Sequence, residues 1–281
     1  AQAGYDYAKN NYPGGCKFSI EAAGKHDNKM LIAGNDAVGL GALAAGLQLL
    51  SAYPMTPSTG VMNYVAANSG KFGVVVEQAE DEIAALNMVL GASFAGARSM
   101  VTTSGGGFSL MVEALGLAGI TETPVVIFLA QRPGPATGLP TMTEQGDLLF
   151  ALHAAQGEFP RCILAPGTPE ECFYLTAEAF NIADKYQMPV IVMSDQYLAD
   201  SLFTCERFDP SKISIDRHLL SDEDLKNLQE EYRRYKLTSS GISPRAVPGQ
   251  AGVLVGADSD EHDEFGHIDE TQENRIKMTH K

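Results

Sequence analysis

The sequence predicts an α/β fold, a parallel sheet with helices on both faces, followed by an irregular and helical extension. Three observations predict it. Strand-sized runs such as residues 125–130 (VVIFLA) and 189–193 (PVIVM) are continuously apolar, as strands buried on both faces are. Segments of helical period, or rich in Ala and Gly, alternate with them. From residue 201 the alternation stops, and residues 236–281 are rich in Gly, Ser, Pro, Asp and His.

The elements follow in order. Residues 1–27 are polar without a clear period and read as a linker or arm. Order begins with the apolar run 30–34 (MLIAG), and Asn35 is placed to cap a helix over 37–50. Strands are expected at 74–76, 100–103, 125–130 and 189–193. Helices are expected at 81–94, 108–119, 144–155 and 169–186, the last with a strong 3.6-residue period. Residues 28–200 thus form the α/β domain. Residues 201–281 form an extension carrying one polar, exposed helix over 222–235, and the sequence suggests that a further domain follows.

Composition narrows the function. The 281 residues carry a net charge of −15 and are 44% hydrophobic, so the chain is globular and ill suited to nucleic acid, whose phosphates need a Lys/Arg excess. No apolar run approaches the roughly 18 residues of a membrane span, and the N-terminus lacks a basic-then-apolar signal, so a cytoplasmic setting is expected. Cys16, Cys162, Cys172 and Cys205 are scattered, and read as reduced structural thiols rather than metal ligands.

In open parallel sheets ligands bind beyond the carboxyl ends of the strands, so the loops there carry the chemistry. Gly39-x-Gly41-x-x-Ala44 fits a loose dinucleotide fingerprint, but falls inside a helix and lacks the acidic partner downstream. Tyr53-Pro-Met-Thr-Pro-Ser-Thr59 is a proline-stiffened turn, with Thr56 at its tip and Ser58 or Thr59 as a cap. In Glu77-Gln-Ala-Glu-Asp-Glu82 the earlier acids suit a helix start, whereas Glu82 lies where the chain turns apolar, a position for a proton-exchanging carboxylate. The glycines of Thr102-Thr-Ser-Gly-Gly-Gly107 permit close backbone approach, with no Lys to make a P-loop. Arg132, after an apolar strand, is a natural carboxylate receptor, with a structural ion pair as the alternative.

Taken together, YPMTPST, EQAEDE, TTSGGGFSLM, QRPGPATGLPTMTEQGDL, SDQYLAD, YKLTSSGISPRAVPG and DEHDEFGH resemble the alpha subunit of 2-oxoacid:ferredoxin oxidoreductases. The similarity runs from about Leu31 to His267. It implies a thiamine diphosphate-binding, pyrimidine-type domain. It further implies a beta subunit carrying the diphosphate, Mg²⁺ and a [4Fe–4S] cluster, coenzyme A as co-substrate, ferredoxin as electron acceptor, and assembly as a dimer of alpha–beta units. Residue by residue, Glu82 matches the glutamate that bonds the pyrimidine, with Glu80 as the alternative register. Tyr53 and Thr56 fall on the cofactor side, and Thr56, Arg132 and Thr141 on the 2-oxoacid. Met55 stands where Ile is usual, and TSGGG replaces the more usual TSGPG. The expected reaction is oxidative decarboxylation of 2-oxoglutarate to succinyl-CoA and CO₂, or its reverse. Pyruvate or a branched-chain 2-oxoacid is an alternative, and a non-catalytic scaffold or a nicotinamide dehydrogenase is an alternative of another class.

Overall fold

A computed structural model describes all residues except 16, 19–23 and 25–27. Its centre is a six-stranded, wholly parallel sheet in the order β3-β2-β4-β5-β7-β6. The strands are β2 (Leu49–Ala52), β3 (Val75–Gln78), β4 (Ser99–Thr103), β5 (Val125–Gln131), β6 (Cys162–Leu164) and β7 (Pro189–Asp195). The predicted α/β class is what the chain adopts. A separate two-stranded antiparallel ribbon pairs β1 (Lys29–Ala33) with β8 (Leu202–Glu206).

Burial explains the continuous apolar runs. Along β5, Val126, Phe128 and Ala130 join one core cluster, while Val125, Ile127 and Leu129 join the other. The first cluster packs under α2 (Gly34–Ala44), α3 (Thr59–Phe72) and α7 (Pro169–Tyr186). The second packs under α4 (Glu82–Phe94), α5 (Gly105–Ile120) and the short α6 (Leu148–His153). A strand sandwiched this way has no polar face to alternate. Each fully buried Val, Leu or Phe contributes about 1.5–3 kcal/mol of transfer free energy.

The structure corrects several expectations. The helix expected over 37–50 ends at Ala44, and Leu49–Ala52 is the strand β2. Gly46 takes a left-handed φ of 81°. Leu47 N–H bonds the Ala42 carbonyl, and Gly46 N–H the Leu43 carbonyl, a two-bond glycine stop that Ala/Leu-rich composition hides. Asn35 is no cap, because Ala33 holds that position. Its buried amide instead donates to the Pro57 carbonyl at 2.8 Å and to Asp200 at 3.0 Å. The helix over 144–155 shrinks to α6. At the N-terminus, where no period was visible, Gln2–Asn11 forms a helix, α1, with no buried residue.

The extension differs most. Its polar helix stops after one turn as α9 (Asp222–Lys226), capped by a reciprocal Ser221–Asp224 pair. Beyond it Arg234 and Tyr235 are buried, not exposed. Tyr235 Oη donates to the Thr121 carbonyl and Arg234 to that of Glu122, fastening the segment over the α5–β5 turn. Asp184 of α7 accepts Arg98 and Arg245, both at 2.8 Å and all three nearly inaccessible, which ties the extension to the sheet. The chain continues through α8 (Gln196–Asp200) after β7 and closes with α10 (Gln272–Thr279). Among the described residues no helix is long and apolar enough to cross a membrane, and no group of three or more His, Cys, Asp or Glu is placed to hold a metal ion.

The fingerprint glycines lie inside α2, as expected. A side chain at Gly39 would strike Tyr64, and one at Gly41 the Phe173 backbone, so these glycines serve helix packing. Of the thiols, Cys162, Cys172 and Cys205 are free, whereas Cys16 lies outside the described residues. Burial pushes the Cys172 thiol up to about 12, leaving it protonated and unreactive.

Candidate active site

The loops singled out in the sequence converge at the carboxyl ends of β2, β3, β4 and β5. After β2, the 53–58 turn is braced from within and behind. Ser58 does not cap α3 with its side chain; its hydroxyl donates to the Met55 carbonyl at 2.7 Å. Asn35 holds the Pro57 carbonyl from below. The Thr56–Pro57 peptide is cis, and Tyr53 and Thr56 are exposed at the rim.

After β3, Asp81 caps α4 by accepting Ala84 N–H at 2.7 Å. Glu82, the first residue of α4, is 3% exposed, while Glu77 and Glu80 are open to solvent. The burial therefore singles out Glu82, and the alternative register at Glu80 lacks it. Glu82 Oε1 is buried without a hydrogen-bond partner among the described residues. Such an oxygen costs about 1–3 kcal/mol unless something supplies a donor.

After β4, α5 begins directly at the glycines, and each glycine admits a different neighbour. A Cβ at Gly107 would lie 2.6 Å from Glu82 Oε1 and 2.2 Å from Thr103 Oγ1. One at Gly105 would lie 2.6 Å from an oxygen of Asp147, and one at Gly106 3.5 Å from the Ala136 carbonyl. The close approach anticipated for this loop is thus made by the chain's own groups. Met55 faces the same turn, with Gly107 N–H donating to its sulfur at 3.2 Å.

After β5, Arg132 Nη1 donates to the Thr56 carbonyl, joining the first loop to the fourth. Among the described residues its Nε and Nη2 have no hydrogen-bond partner. Thr141 is exposed farther along this loop, with no hydrogen bond to Thr56, Arg132 or Glu82 among the described residues. The loop is pinned by residues that the sequence reading did not single out. Gln145 Nε2 donates to Asp195 at 2.6 Å, Thr143 to Gln196 at 3.1 Å, and Asp147 N–H to Gln131 Oε1 at 2.9 Å. Gln131 was findable, as the polar last residue of an otherwise apolar strand.

The arrangement offers a dry carboxylate beside a glycine turn and a partly free guanidinium at the rim. A cavity of about 1000 Å³ lies elsewhere, between the C-terminal half of α5 and the extension, lined in part by Ile120, Met188 and His262.

Comparisons with known proteins agree with this fold. Residues 40–281 match the sequence model of the family "Pyruvate flavodoxin/ferredoxin oxidoreductase, thiamine diP-bdg". The 2-oxoacid:ferredoxin oxidoreductase 1 subunit alpha of Sulfurisphaera tokodaii is 40% identical over 280 residues, covering 94% of this chain and 44% of that one. The 2-oxoglutarate synthase subunit KorA of Archaeoglobus fulgidus is 49% identical over 166 residues, 59% of this chain and 48% of that one. The solved 2-oxoglutarate:ferredoxin oxidoreductase from Magnetococcus marinus, with 2-oxoglutarate, coenzyme A and succinyl-CoA bound, superposes with a TM-score of 0.89 at 41% identity. That match covers 99% of this chain and 48% of the other. The chain spans less than half the length of these relatives, and it belongs to the thiamine diphosphate-binding family of pyruvate flavodoxin/ferredoxin oxidoreductases, among the alpha subunits of 2-oxoacid:ferredoxin oxidoreductases.

Proposed function

We propose that this chain is the pyrimidine-side part of a thiamine diphosphate-dependent enzyme that oxidatively decarboxylates 2-oxoglutarate with coenzyme A and ferredoxin, or runs the reverse carboxylation. The observation that carries the reading is Glu82, a buried carboxylate with an unpaired Oε1 facing a turn whose glycine leaves it room. An aminopyrimidine nitrogen carrying or receiving a proton fits that oxygen. When bound, thiamine diphosphate supplies the carbanion chemistry that a protein side chain cannot. Mg²⁺, the diphosphate contacts and a [4Fe–4S] cluster belong to a beta partner in this reading.

The chain's own residues do three things. Glu82 holds and returns one proton at Oε1, a role typically worth about 10²–10⁴ in rate. Arg132 uses Nη1 to anchor the Thr56 carbonyl, and offers Nε and Nη2 to the substrate carboxylate. Thr56 and Tyr53 stand exposed at the rim and Thr141 farther along the Arg132 loop, and in this reading Thr56 and Thr141 orient the 2-oxoacid while Tyr53 flanks the cofactor ring. The preference for 2-oxoglutarate draws on the KorA relatives and the Magnetococcus marinus enzyme, whose names specify that acid.

The test is a substrate panel. The full-length alpha chain, co-expressed with its beta partner, is offered 2-oxoglutarate, pyruvate and 2-oxoisovalerate in coenzyme A-dependent dye reduction. The reading predicts the highest kcat/KM with 2-oxoglutarate. Preference for another acid moves the substrate and keeps the mechanism, while no turnover in a complex loaded with cofactor and cluster leaves the scaffold reading.

A further inference from the structure

Asp147 is a half-buried carboxyl to which no role has been given, and it lies at the base of the loop that carries Arg132 and Thr141. Its main-chain N–H donates to Gln131 Oε1 at 2.9 Å. Gln131 is itself buried, and its Nε2 donates to the Ser194 carbonyl at 3.3 Å, which fixes the amide's orientation. Residues 131 and 147 therefore close the loop on itself, with Arg132 next to one end and Thr141 within it. The carboxyl lies against α5, where a Cβ at Gly105 would be 2.6 and 2.8 Å from its two oxygens. The mid-loop carbonyl of Ala136 faces the next glycine, where a Cβ at Gly106 would lie 3.5 Å from its oxygen. One turn further on, Phe150 meets Phe108 of α5 edge to face, ring centroids 5.2 Å apart.

Asp147 Oδ2 is buried and without a hydrogen-bond partner among the described residues, as Glu82 Oε1 is. The two lone oxygens lie on the same three-glycine turn, Asp147 at Gly105 and Glu82 at Gly107. An ionised oxygen in such a place is costly, and a protonated one much less so. Burial first, and Glu144 second, hold the Asp147 carboxyl above the usual carboxylate range.

We propose that Asp147 is a positioning residue that seats the Arg132–Thr141 loop on the glycine turn of α5, coupling the grip on the 2-oxoacid to the turn that seats Glu82. The inference rests on the reading of this site as a 2-oxoacid site. It acts through the loop, so its signature is a KM effect and a local loss of order rather than loss of the chemical step.

The experiment has two arms on the full alpha–beta complex. The first is amide hydrogen exchange of residues 133–146 without substrate, compared at one pH across wild type, Asp147→Ala and Asp147→Asn. The second is KM and kcat for the 2-oxoacid that the wild type turns over. Asp147→Ala is expected to lose protection in this loop alone and to raise KM about 10- to 100-fold, with a smaller change in kcat. Asp147→Asn, which keeps the shape and a polar head, is expected to restore most of both. If Asp147→Ala fails to assemble, Gly105→Ala displaces the carboxyl from the helix side and is expected to give the same pair of effects. Unchanged exchange in the loop overturns the proposal, and so does a fall in kcat with KM unchanged. The exchange arm needs no turnover, so a complex inactive on every 2-oxoacid defeats the functional reading without deciding this one.

Discussion

Arg132 Nη1 donates to the main-chain carbonyl of Thr56, so the loops after β5 and β2 are joined by one side chain. The guanidinium therefore anchors the rim with one nitrogen and presents the rest. Replacing it with Lys leaves one ammonium to do both jobs, and a planar fork is not reproduced by a point charge. Arg132→Lys is expected to raise KM for the 2-oxoacid about tenfold or more, in line with the ~1.5–3 kcal/mol of a charged hydrogen bond. Steady-state kinetics with the full complex checks this.

Met55 gives its sulfur to Gly107 N–H at 3.2 Å. Ile cannot accept that bond. Thioether acceptors are weak, so Met55→Ile is expected to cost at most about 1 kcal/mol. The measurement is the urea midpoint of the alpha chain. A stabilisation of similar size would show that the sulfur contact contributes nothing.

Asp184 neutralises two nearly inaccessible guanidiniums, Arg98 and Arg245, and also meets the half-exposed Arg217 at 3.2 Å. Asp184→Asn leaves three cations around a neutral amide. Breaking a buried pair in this way costs about 3–5 kcal/mol. The loss is expected to appear as early unfolding and as proteolysis within residues 217–281, since Arg245 pins the extension.

Asp147 also makes a pH prediction. Its folded pKa is raised by burial and by Glu144, so the native state holds its proton where the unfolded chain has released it. Stability then falls as pH rises from the unfolded value through the raised folded value, and is flat above. Asp147→Asn removes that contribution. The stability of the variant relative to wild type is expected to increase between acid and neutral pH, as read by urea titrations at several pH values.

Much of the fold was legible because its cause is local. Strands such as VVIFLAQ are buried on both faces, and continuous apolarity records that directly. The strand β2 was hidden, since LLSA follows an Ala/Gly helix of similar composition, and the break rests on one left-handed glycine, Gly46. The extension misled for the opposite reason. Its Arg and Tyr side chains look solvated in sequence, yet Arg234 and Tyr235 spend their polar atoms on carbonyls of the α5–β5 turn. At the site, Glu82 was findable from a carboxylate set against an apolar run. Asn35 and Asp195 act through contacts with distant loops, which no local spacing encodes.

In the proposed function Glu82 holds the proton that activates thiamine diphosphate. The direct measurement is coenzyme A-dependent dye reduction by the alpha–beta complex, wild type against Glu82→Gln, with bound thiamine diphosphate quantified in both. Retained assembly and a fall in kcat of about 10²–10⁴ are expected. Full activity in the Glu82→Gln complex, with cofactor bound, would contradict it.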